Sequence, residues 1–305
     1  MAELGSIERS RWVPDPLLAG AASLMLLAAY FVSAALWGKI VQELGGPRLS
    51  VRAAVEIFII ANLGRYIPGK VWQIAGLAAL AKGRGVAPAT AAAAGVLGQG
   101  IALIAASTVG LGALLGAPDP YRRWGIVGAA LVAAAVAVGS VPAVFERIAG
   151  VWFRLSGTER PRGLGPAQAL RWLALYTANW VLYALSFWVL ARSLALAGGL
   201  VPVASAFAAA YVLGYAMIFA PAGLGPREGF LIAFLTPHVG AASAGVIAVV
   251  ARLWTTVVEL LPAGAFWLAH LARGPVVAAE GDAAPSTRAP DPSAGPEGGR
   301  KGGLP

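Results

Sequence analysis

The stretch Gly64-Arg-Tyr-Ile-Pro-Gly-Lys-Val-Trp-Gln73 combines two cations with residues that interrupt a helix. Arg65 and Lys70 flank a turn in which Gly64, Pro68 and Gly69 are expected to expose backbone amides. Free amides beside two cations are a favourable place for a phosphate or another anionic group. The alternative is that both side chains simply extend to the nearest aqueous surface. We favour binding, because the charges coincide with an interrupted backbone.

A second interrupted stretch, Pro221-Ala-Gly-Leu-Gly-Pro-Arg-Glu-Gly229, carries Arg227 and Glu228. Arg227 is a candidate third cation for the same anion. Glu228 follows it at the start of a short predicted helix, where a carboxylate stabilises the helix N-terminus. Three roles stay open for Glu228: a helix cap, an ion pair across the site, or a proton carrier.

Other charged and polar residues lie inside apolar segments. Arg252 and Glu259 are seven residues apart, so they share one helix face but lie about 10 Å apart along its axis. We therefore expect each to pair with another helix, either as a structural ion pair or within a translocation pathway. Glu56 is expected at similar depth. Polar side chains that are candidates for interhelical hydrogen bonds or for the same cavity are Gln99, Tyr176 and Asn179.

These patterns define two sets of candidate residues. The candidate substrate-binding residues are Arg65, Tyr66, Lys70, Trp72, Gln73, Arg227, Glu228 and Arg252. The candidate hairpin-breaking residues are Asn62, Gly64, Pro68, Gly69, Pro221, Gly223, Gly225, Pro226 and Gly229.

The composition argues against several kinds of chemistry. There is no cysteine, which excludes disulfides, thiolate nucleophiles and cysteine-bound zinc. The two histidines, His238 and His270, lack the spacing of metal ligands, and no aspartate falls within a long apolar segment. We expect no catalytic residue, no metal and no cofactor, and thus a protein that is not an enzyme.

The overall composition indicates a membrane protein. Of the 305 residues, 58% are hydrophobic and 12% are charged, whereas soluble domains carry about 25% charged residues. The net charge of +9 fits basic loops beside anionic lipid headgroups better than nucleic-acid binding. We expect an all-α, polytopic helical bundle.

Five segments reach the length of about 20 apolar residues that spans a bilayer core of about 30 Å. They are 17–40, 89–116, 124–142, 169–194 and 241–271. The regions 52–81 and 202–236 are instead pairs of short apolar pieces, separated by the two interrupted stretches. Broken backbone at membrane depth requires surrounding protein or water.

The order of these segments predicts an inverted repeat. A re-entrant hairpin adds no net crossing, so three crossings separate the start of the first half from the start of the second. The two halves then have opposite orientations, and their hairpins reach the bilayer interior from opposite faces. Interrupted segments at matching positions of two halves are typical of transporter substrate sites.

The domain boundaries follow from the same pattern. Residues 1–16 form a polar N-terminal segment, 17–272 a transmembrane domain and 273–305 a disordered tail. The domain divides into 17–143, an arginine-rich loop at 144–168, and 169–272. One side of the membrane collects most of the Lys and Arg residues, so we expect that side and the C-terminus in the cytoplasm and the N-terminus outside.

The two interrupted stretches resemble the signatures of the lysylphosphatidylglycerol synthase transmembrane-region family, also called flippase-like. Gly64–Gln73 is similar to the first signature. Pro221–Gly229 is similar to the second, usually Pro-Gly-Gly-Leu-Gly-x-x-Glu, although Ala222 and Pro226 depart from it. The resemblance covers 17–272. Its best-known members add a soluble aminoacyl-transferring domain, which we expect to be absent, so the resemblance implies lipid translocation without lipid aminoacylation.

The leading interpretation is a flippase of the bacterial cytoplasmic membrane that moves an anionic phospholipid or a lipid-linked headgroup. Its partners are then membrane lipids, and no nucleic acid. One alternative is a membrane-embedded transferase on a polyprenyl or phospholipid substrate, a class that usually requires a carboxylate pair. Another is a scaffold for envelope-synthesis enzymes. The lipid, the energy source and the oligomeric state stay open.

Overall fold

The computed structural model describes residues 13–67, 71–115, 119, 121–157, 159, 164–196, 198–217, 220 and 223–272. Within these ranges every regular element is helical, which confirms the all-α prediction. The helices are α1 (Pro16–Glu43), α2 (Val51–Asn62), α3 (Val71–Lys82), α4 (Pro88–Leu115), α5 (Tyr121–Gly139), α6 (Pro142–Ser156), α7 (Pro166–Ser193), α8 (Leu200–Ala216), α9 (Pro226–Val239) and α10 (Ala241–Ala272). A short 3₁₀ turn, Leu63–Tyr66, follows α2.

Four helices are long and apolar enough to cross a membrane, namely α1, α4, α7 and the Ala241–Phe266 part of α10. They correspond to four of the five predicted spans. Helices α1, α4 and α7 each have 28 residues, which is about 42 Å at 1.5 Å per residue. That length covers the hydrocarbon core and the headgroup region. The protein is a multi-pass membrane protein.

The fifth predicted span, 124–142, is helical only as far as Gly139, where α5 ends. Gly125–Gly139 satisfies the span criteria only together with Pro142–Ser156, and the two pieces meet at 87°. Pro142 has no amide hydrogen to continue α5, and it occupies the first turn of α6 instead. Helix α6 fills the first half of the predicted loop at 144–168 and buries Phe153 against the bundle.

Helices α2 and α3, with the 3₁₀ turn between them, form an antiparallel pair that we call hairpin 1. Near the tip, a Cβ atom on Gly76 would lie 3.2 Å from the Ala61 Cα atom. At the open end, Arg84 forms an ion pair with Glu56 at 3.0 Å. Contacts at both ends therefore show that the arms run in opposite directions. Glu56 itself lies midway along α2, and its partner Arg84 follows the end of α3.

Helices α8 and α9 form a second antiparallel pair, hairpin 2. Near its tip, a Cβ atom on Gly214 would lie 2.7 Å from the Arg227 Cβ atom. At its open end, a Cβ atom on Gly198 would lie 3.4 Å from the Val239 side chain. The interruptions predicted in 52–81 and 202–236 are thus present, and their four arms have 12, 12, 17 and 14 residues.

Helices α1 and α7 are antiparallel to each other, and they serve as the reference for the positions of the two hairpins. The Asp15 amide, before α1, donates to the Ser193 carbonyl at the end of α7, at 2.8 Å. At the other end, the Trp172 indole donates to the Glu43 carboxylate at 2.5 Å. The C-terminal end of α1 therefore lies beside the N-terminal end of α7.

Hairpin 1 extends along α1 from its C-terminal end to its middle. A Cβ atom on Gly38 would lie 3.0 Å from the Ala54 Cβ atom, close to the open end of the hairpin. At the tip, Arg65 and the Tyr30 hydroxyl contact the same carboxylate, that of Glu259. Tyr30 is near the midpoint of α1, so the tip lies halfway along that helix.

Hairpin 2 extends along α7 from its C-terminal end to its middle. The Phe207 ring stacks on Phe187 with centroids 4.8 Å apart, and closer to the tip the Tyr211 ring packs on Trp180 at 4.6 Å. Since α1 and α7 are antiparallel, the hairpins enter from opposite ends of the bundle and their tips meet halfway. The inverted repeat, a relation between the complete halves, stays a prediction.

Candidate functional site

The two hairpin tips enclose a cavity of about 130 Å³, which is room for several waters or one small anionic group. It lies halfway along α1 and α7, at the level of Tyr30 and Trp180. Both hairpins and all four long helices contribute to its wall. Its charged lining residues are Arg65, Arg227, Arg252 and Glu259, a formal net charge of +2.

The tip of hairpin 1 places Arg65 by close packing of its two arms. A Cβ atom on Gly64 would lie 2.7 Å from the Gln73 nitrogen and the Trp72 carbonyl carbon, so only glycine fits there. The Gln73 side chain donates to the Asn62 side-chain oxygen at 2.6 Å, which joins the arms across the turn. Gly64 therefore allows the two arms of the turn to come together.

Glu259 is the carboxylate around which the tip of hairpin 1 is organised. It lies on α10, is 7% exposed and forms an ion pair with Arg65. It accepts hydrogen bonds from the Tyr30 hydroxyl and from the Tyr66 hydroxyl, the latter at 2.8 Å. A buried carboxylate with three donors is a well-compensated charge. The contacts join α1, hairpin 1 and α10.

The tip of hairpin 2 depends on glycine in a different way. Gly223 and Gly225 have φ angles of +71° and +87°, which other residues rarely adopt. These turns lead into Pro226, the first residue of α9, where a proline starts a helix without losing a backbone hydrogen bond. Gly229 is corrected as a hairpin-breaking residue, because it lies inside α9.

Arg227 presents its charge to aromatic rings. Its guanidinium carbon lies 4.8 Å from the centroid of Phe207 and 5.7 Å from that of Tyr211. In the described parts of the chain, no carboxylate oxygen lies within 4 Å of its nitrogens. Ring faces attract a cation by about 0.5–2 kcal/mol, less than a hydrogen-bonded anion would. Arg227 is thus a cavity cation that retains the capacity to bind an anion.

Arg252 and Glu228 connect α10 to hairpin 2. The Arg252 Nε atom lies 3.7 Å from a Glu228 carboxylate oxygen, and both side chains are largely buried. The other Glu228 oxygen accepts from the Gly225 amide at 2.7 Å, which caps α9. Two of the three roles left open for Glu228, a cap and an ion pair, are therefore present together. Arg252 and Glu259 pair with other elements, as predicted.

An aromatic wall that the sequence analysis did not identify completes the cavity. Tyr30, Trp180, Tyr183 and Tyr211 line it and contact one another edge-on or tilted. The Gln99 amide reaches the Tyr211 hydroxyl at 3.3 Å. The signal available in the sequence was the recurrence of tyrosine inside apolar segments, where a hydroxyl requires a partner.

The polar residues beside this wall behave as interhelical bridges. The Asn179 amide donates to the Ser33 hydroxyl at 2.8 Å, and that hydroxyl lies 3.1 Å from the Tyr183 hydroxyl. This confirms the expected hydrogen bonding of Asn179, which is buried. Gln99 likewise joins α4 to α8 through Tyr211, and both Gln99 and Tyr176 line the cavity, which was the other predicted role.

The predicted binding residues separate into three groups. The cavity lining includes Arg65, Gln73, Arg227 and Arg252, and Tyr66 and Glu228 hold lining residues in place. Trp72 is half exposed and is not among the described lining residues, so its role in binding stays a prediction. Four of the predicted residues lie outside the described part of the chain: Pro68, Gly69, Lys70 and Pro221.

Fold and site together define a multi-pass helical membrane protein whose two opposed hairpins meet at a cationic cavity. Residues 4–263 match the family described as the lysylphosphatidylglycerol synthase TM region, and the chain belongs to that family. This confirms the resemblance seen in the two interrupted stretches and relates the protein to lipid synthesis or flipping. Comparisons with curated proteins and with solved structures found no match.

Proposed function

We propose that the protein is a lipid translocase that moves an anionic phospholipid or a lipid-linked anionic headgroup across the bacterial cytoplasmic membrane. The headgroup occupies the cavity between the hairpin tips while its acyl chains remain in lipid. Membrane lipids are then its substrates, and no covalent chemistry is involved. The side of the membrane that contains the open end of hairpin 1 and the C-terminus is the cytoplasmic side.

The proposal rests on the surroundings of the Arg227 side chain. It lines the cavity halfway along the bundle, beside aromatic rings and without a carboxylate within 4 Å among the described residues. A cation at this depth is costly and is rarely retained without a functional partner. An anionic headgroup supplies that partner.

The position of the cavity supports movement in addition to binding. Because the hairpins enter from opposite ends, the cavity is bounded on one side by the tip of hairpin 1 and on the other by the tip of hairpin 2. A headgroup held there contacts Arg65 from one hairpin and Arg227 from the other. Displacement of either tip would open a route to one leaflet, which is the geometry that alternating access requires.

The test is the movement of a tail-labelled fluorescent phosphatidylglycerol in proteoliposomes, with an external quencher reporting the outer leaflet. Arg227→Gln removes the cavity cation that has no carboxylate within 4 Å among the described residues, and Arg192→Gln removes an exposed cation near the end of α7 as the matched control. Loss of one charge-assisted contact of about 1.5–3 kcal/mol predicts a rate lower by roughly 10- to 100-fold for Arg227→Gln. The control should keep the parent rate.

Headgroup charge is the second variable. A zwitterionic lipid with the same labelled tail should move more slowly than phosphatidylglycerol, because it brings no net negative charge into the cationic cavity. Equal rates for the parent and a correctly inserted Arg227→Gln protein would overturn the proposal. Recovery of a chemically altered lipid would instead support a membrane-embedded transferase.

A further inference from the structure

We propose that Glu259 is an internal substitute for the substrate's anion, occupying the donors on hairpin 1 until a headgroup displaces it. This inference rests on the proposed function and deepens it, because it assigns a specificity-determining and gating role to a residue of the cavity. The carboxylate is the one anionic group in the described lining, among three arginines.

The donors around Glu259 are those that a phosphate would use. A guanidinium from Arg65 and hydroxyls from Tyr30 and Tyr66 converge on its two oxygens. Phosphates and carboxylates are both bound by arginine with paired N–H donors and by hydroxyls. The same pocket therefore accepts either the side chain or the headgroup, and the two compete for it.

The two hairpins differ in this respect. On hairpin 1, Arg65 is already matched by Glu259, whereas on hairpin 2 Arg227 contacts ring faces. An arriving anion therefore meets Arg227 first without competition, and it reaches Arg65 only by displacing Glu259. Occupation of the second cation requires the contact between hairpin 1 and α10 to break, which couples headgroup binding to release of the tip of hairpin 1.

Competition also limits how tightly the substrate is held. A headgroup bound by both hairpins with no competitor would leave slowly, since charge-assisted contacts inside a membrane protein are strong. Glu259 regains its donors when the headgroup departs, so it favours release. The internal carboxylate thus lowers affinity and supports turnover, which is the opposite of what a purely structural ion pair would do.

The test measures binding separately from movement. Full-length protein in neutral detergent is titrated with pyrene-labelled phosphatidylglycerol, and energy transfer from the protein's tryptophans reports binding. Glu259→Gln keeps the shape of the side chain and removes its charge, so affinity should rise about tenfold, the equivalent of about 1.4 kcal/mol. Translocation by the same variant should slow, because release becomes limiting.

Two further variants keep the inference testable if Glu259→Gln folds poorly. Glu259→Asp withdraws the carboxylate by one methylene and should give an affinity between those of the parent and Glu259→Gln. Tyr66→Phe removes a hydroxyl that both Glu259 and the headgroup would use. It should weaken lipid binding more in the Glu259→Gln protein than in the parent, because in the parent Glu259 competes for that hydroxyl.

The outcomes separate this inference from the proposed function. If the parent binds and moves phosphatidylglycerol but Glu259→Gln or Glu259→Asp binds it equally or more weakly, the internal substitute is refuted while the translocase stands. If the parent neither binds nor moves the lipid, the proposed function itself fails.

Discussion

The side chains of Gln73 and Asn62 are joined by a 2.6 Å hydrogen bond that crosses the turn of hairpin 1. Asn62 ends α2 and is buried, while Gln73 belongs to the first turn of α3 and lines the cavity. The bond therefore holds the arms together directly beside Arg65. Its contribution to the stability of the hairpin can be measured.

A double-mutant cycle on Asn62→Ala and Gln73→Ala should reveal this coupling. Each single change leaves a polar partner unsatisfied, so each should lower the free energy of unfolding by about 1–3 kcal/mol. The double variant should lose less than the sum, with a coupling energy of about 1 kcal/mol. Unfolding in mixed micelles by a denaturing detergent gives these values.

The control for that cycle pairs Gln73→Ala with Thr108→Ala on the exposed face of α4, where the hydroxyl bonds only to its own helix. Additive effects are expected for this distant pair. Additivity of Asn62→Ala and Gln73→Ala as well would show that the hydrogen bond does not stabilise the hairpin.

Gly64→Ala should destabilise the protein by close packing alone. The added Cβ atom would lie 2.7 Å from backbone atoms of Trp72 and Gln73, which cannot move as a side chain can. Overpacking of this kind costs about 1–3 kcal/mol. Gly100→Ala on α4, where a Cβ atom meets nothing within 4 Å, is the matched control and should not lower stability.

The measurement for this pair is the apparent melting temperature in detergent, together with the translocation rate at a temperature where both variants are folded. Gly64→Ala should lower both quantities. A Gly64→Ala protein as stable as the parent would mean that the arms of hairpin 1 are further apart than the structure shows.

Substitutions of Glu228 distinguish its two contacts. Glu228→Gln keeps an oxygen for the Gly225 amide but removes the charge that faces Arg252. Glu228→Ala removes both, and loss of a helix cap costs about 1 kcal/mol. We expect Glu228→Ala to lower the free energy of unfolding by about that amount more than Glu228→Gln. Equal losses would assign the stabilisation to the ion pair rather than to the cap.

The absence of cysteine in the sequence permits a direct test of hairpin orientation. Single cysteines replace Val51 and Leu200, which are the first residues of hairpin 1 and hairpin 2 and are both exposed. A membrane-impermeant maleimide added to intact cells should label Leu200→Cys. It should label Val51→Cys only after the membrane is opened.

This experiment also tests the arrangement of the bundle. Labelling of both cysteines from the same side would contradict the opposed hairpins, and reversal of the pattern would place the C-terminus outside the cell. The cysteine-free parent provides the background signal.

The sequence allowed the prediction of those features that depend on local chemistry. Glycine and proline next to charged residues predicted both hairpins. The energetic cost of a charge inside the bilayer predicted that Arg252 and Glu259 each pair with another helix. Arg65 and Arg227 were placed in one site because the order of segments brings two interrupted stretches together. Each of these inferences uses spacing or residue type alone, which a sequence contains.

Other features depend on long-range packing. Tyr30 and Tyr66 are on different elements, and their convergence on Glu259 is decided by the crossing of α1, hairpin 1 and α10. Helix α6 was read as a loop because Arg147 and Arg154 dominated its composition. The apolar residues at Ala149 and Phe153, which α6 buries, have helical spacing and were the missed signal.

Helices α1 and α7 are fastened to each other at both extremities, by Asp15 with Ser193 and by Glu43 with Trp172. Sliding of one helix past the other would break both hydrogen bonds at once, so the pair behaves as a rigid unit. In the transport cycle that we propose, structural change is therefore confined to the elements that pack against this pair. Those elements are the two hairpins, which we expect to move independently because they enter the bundle from opposite ends.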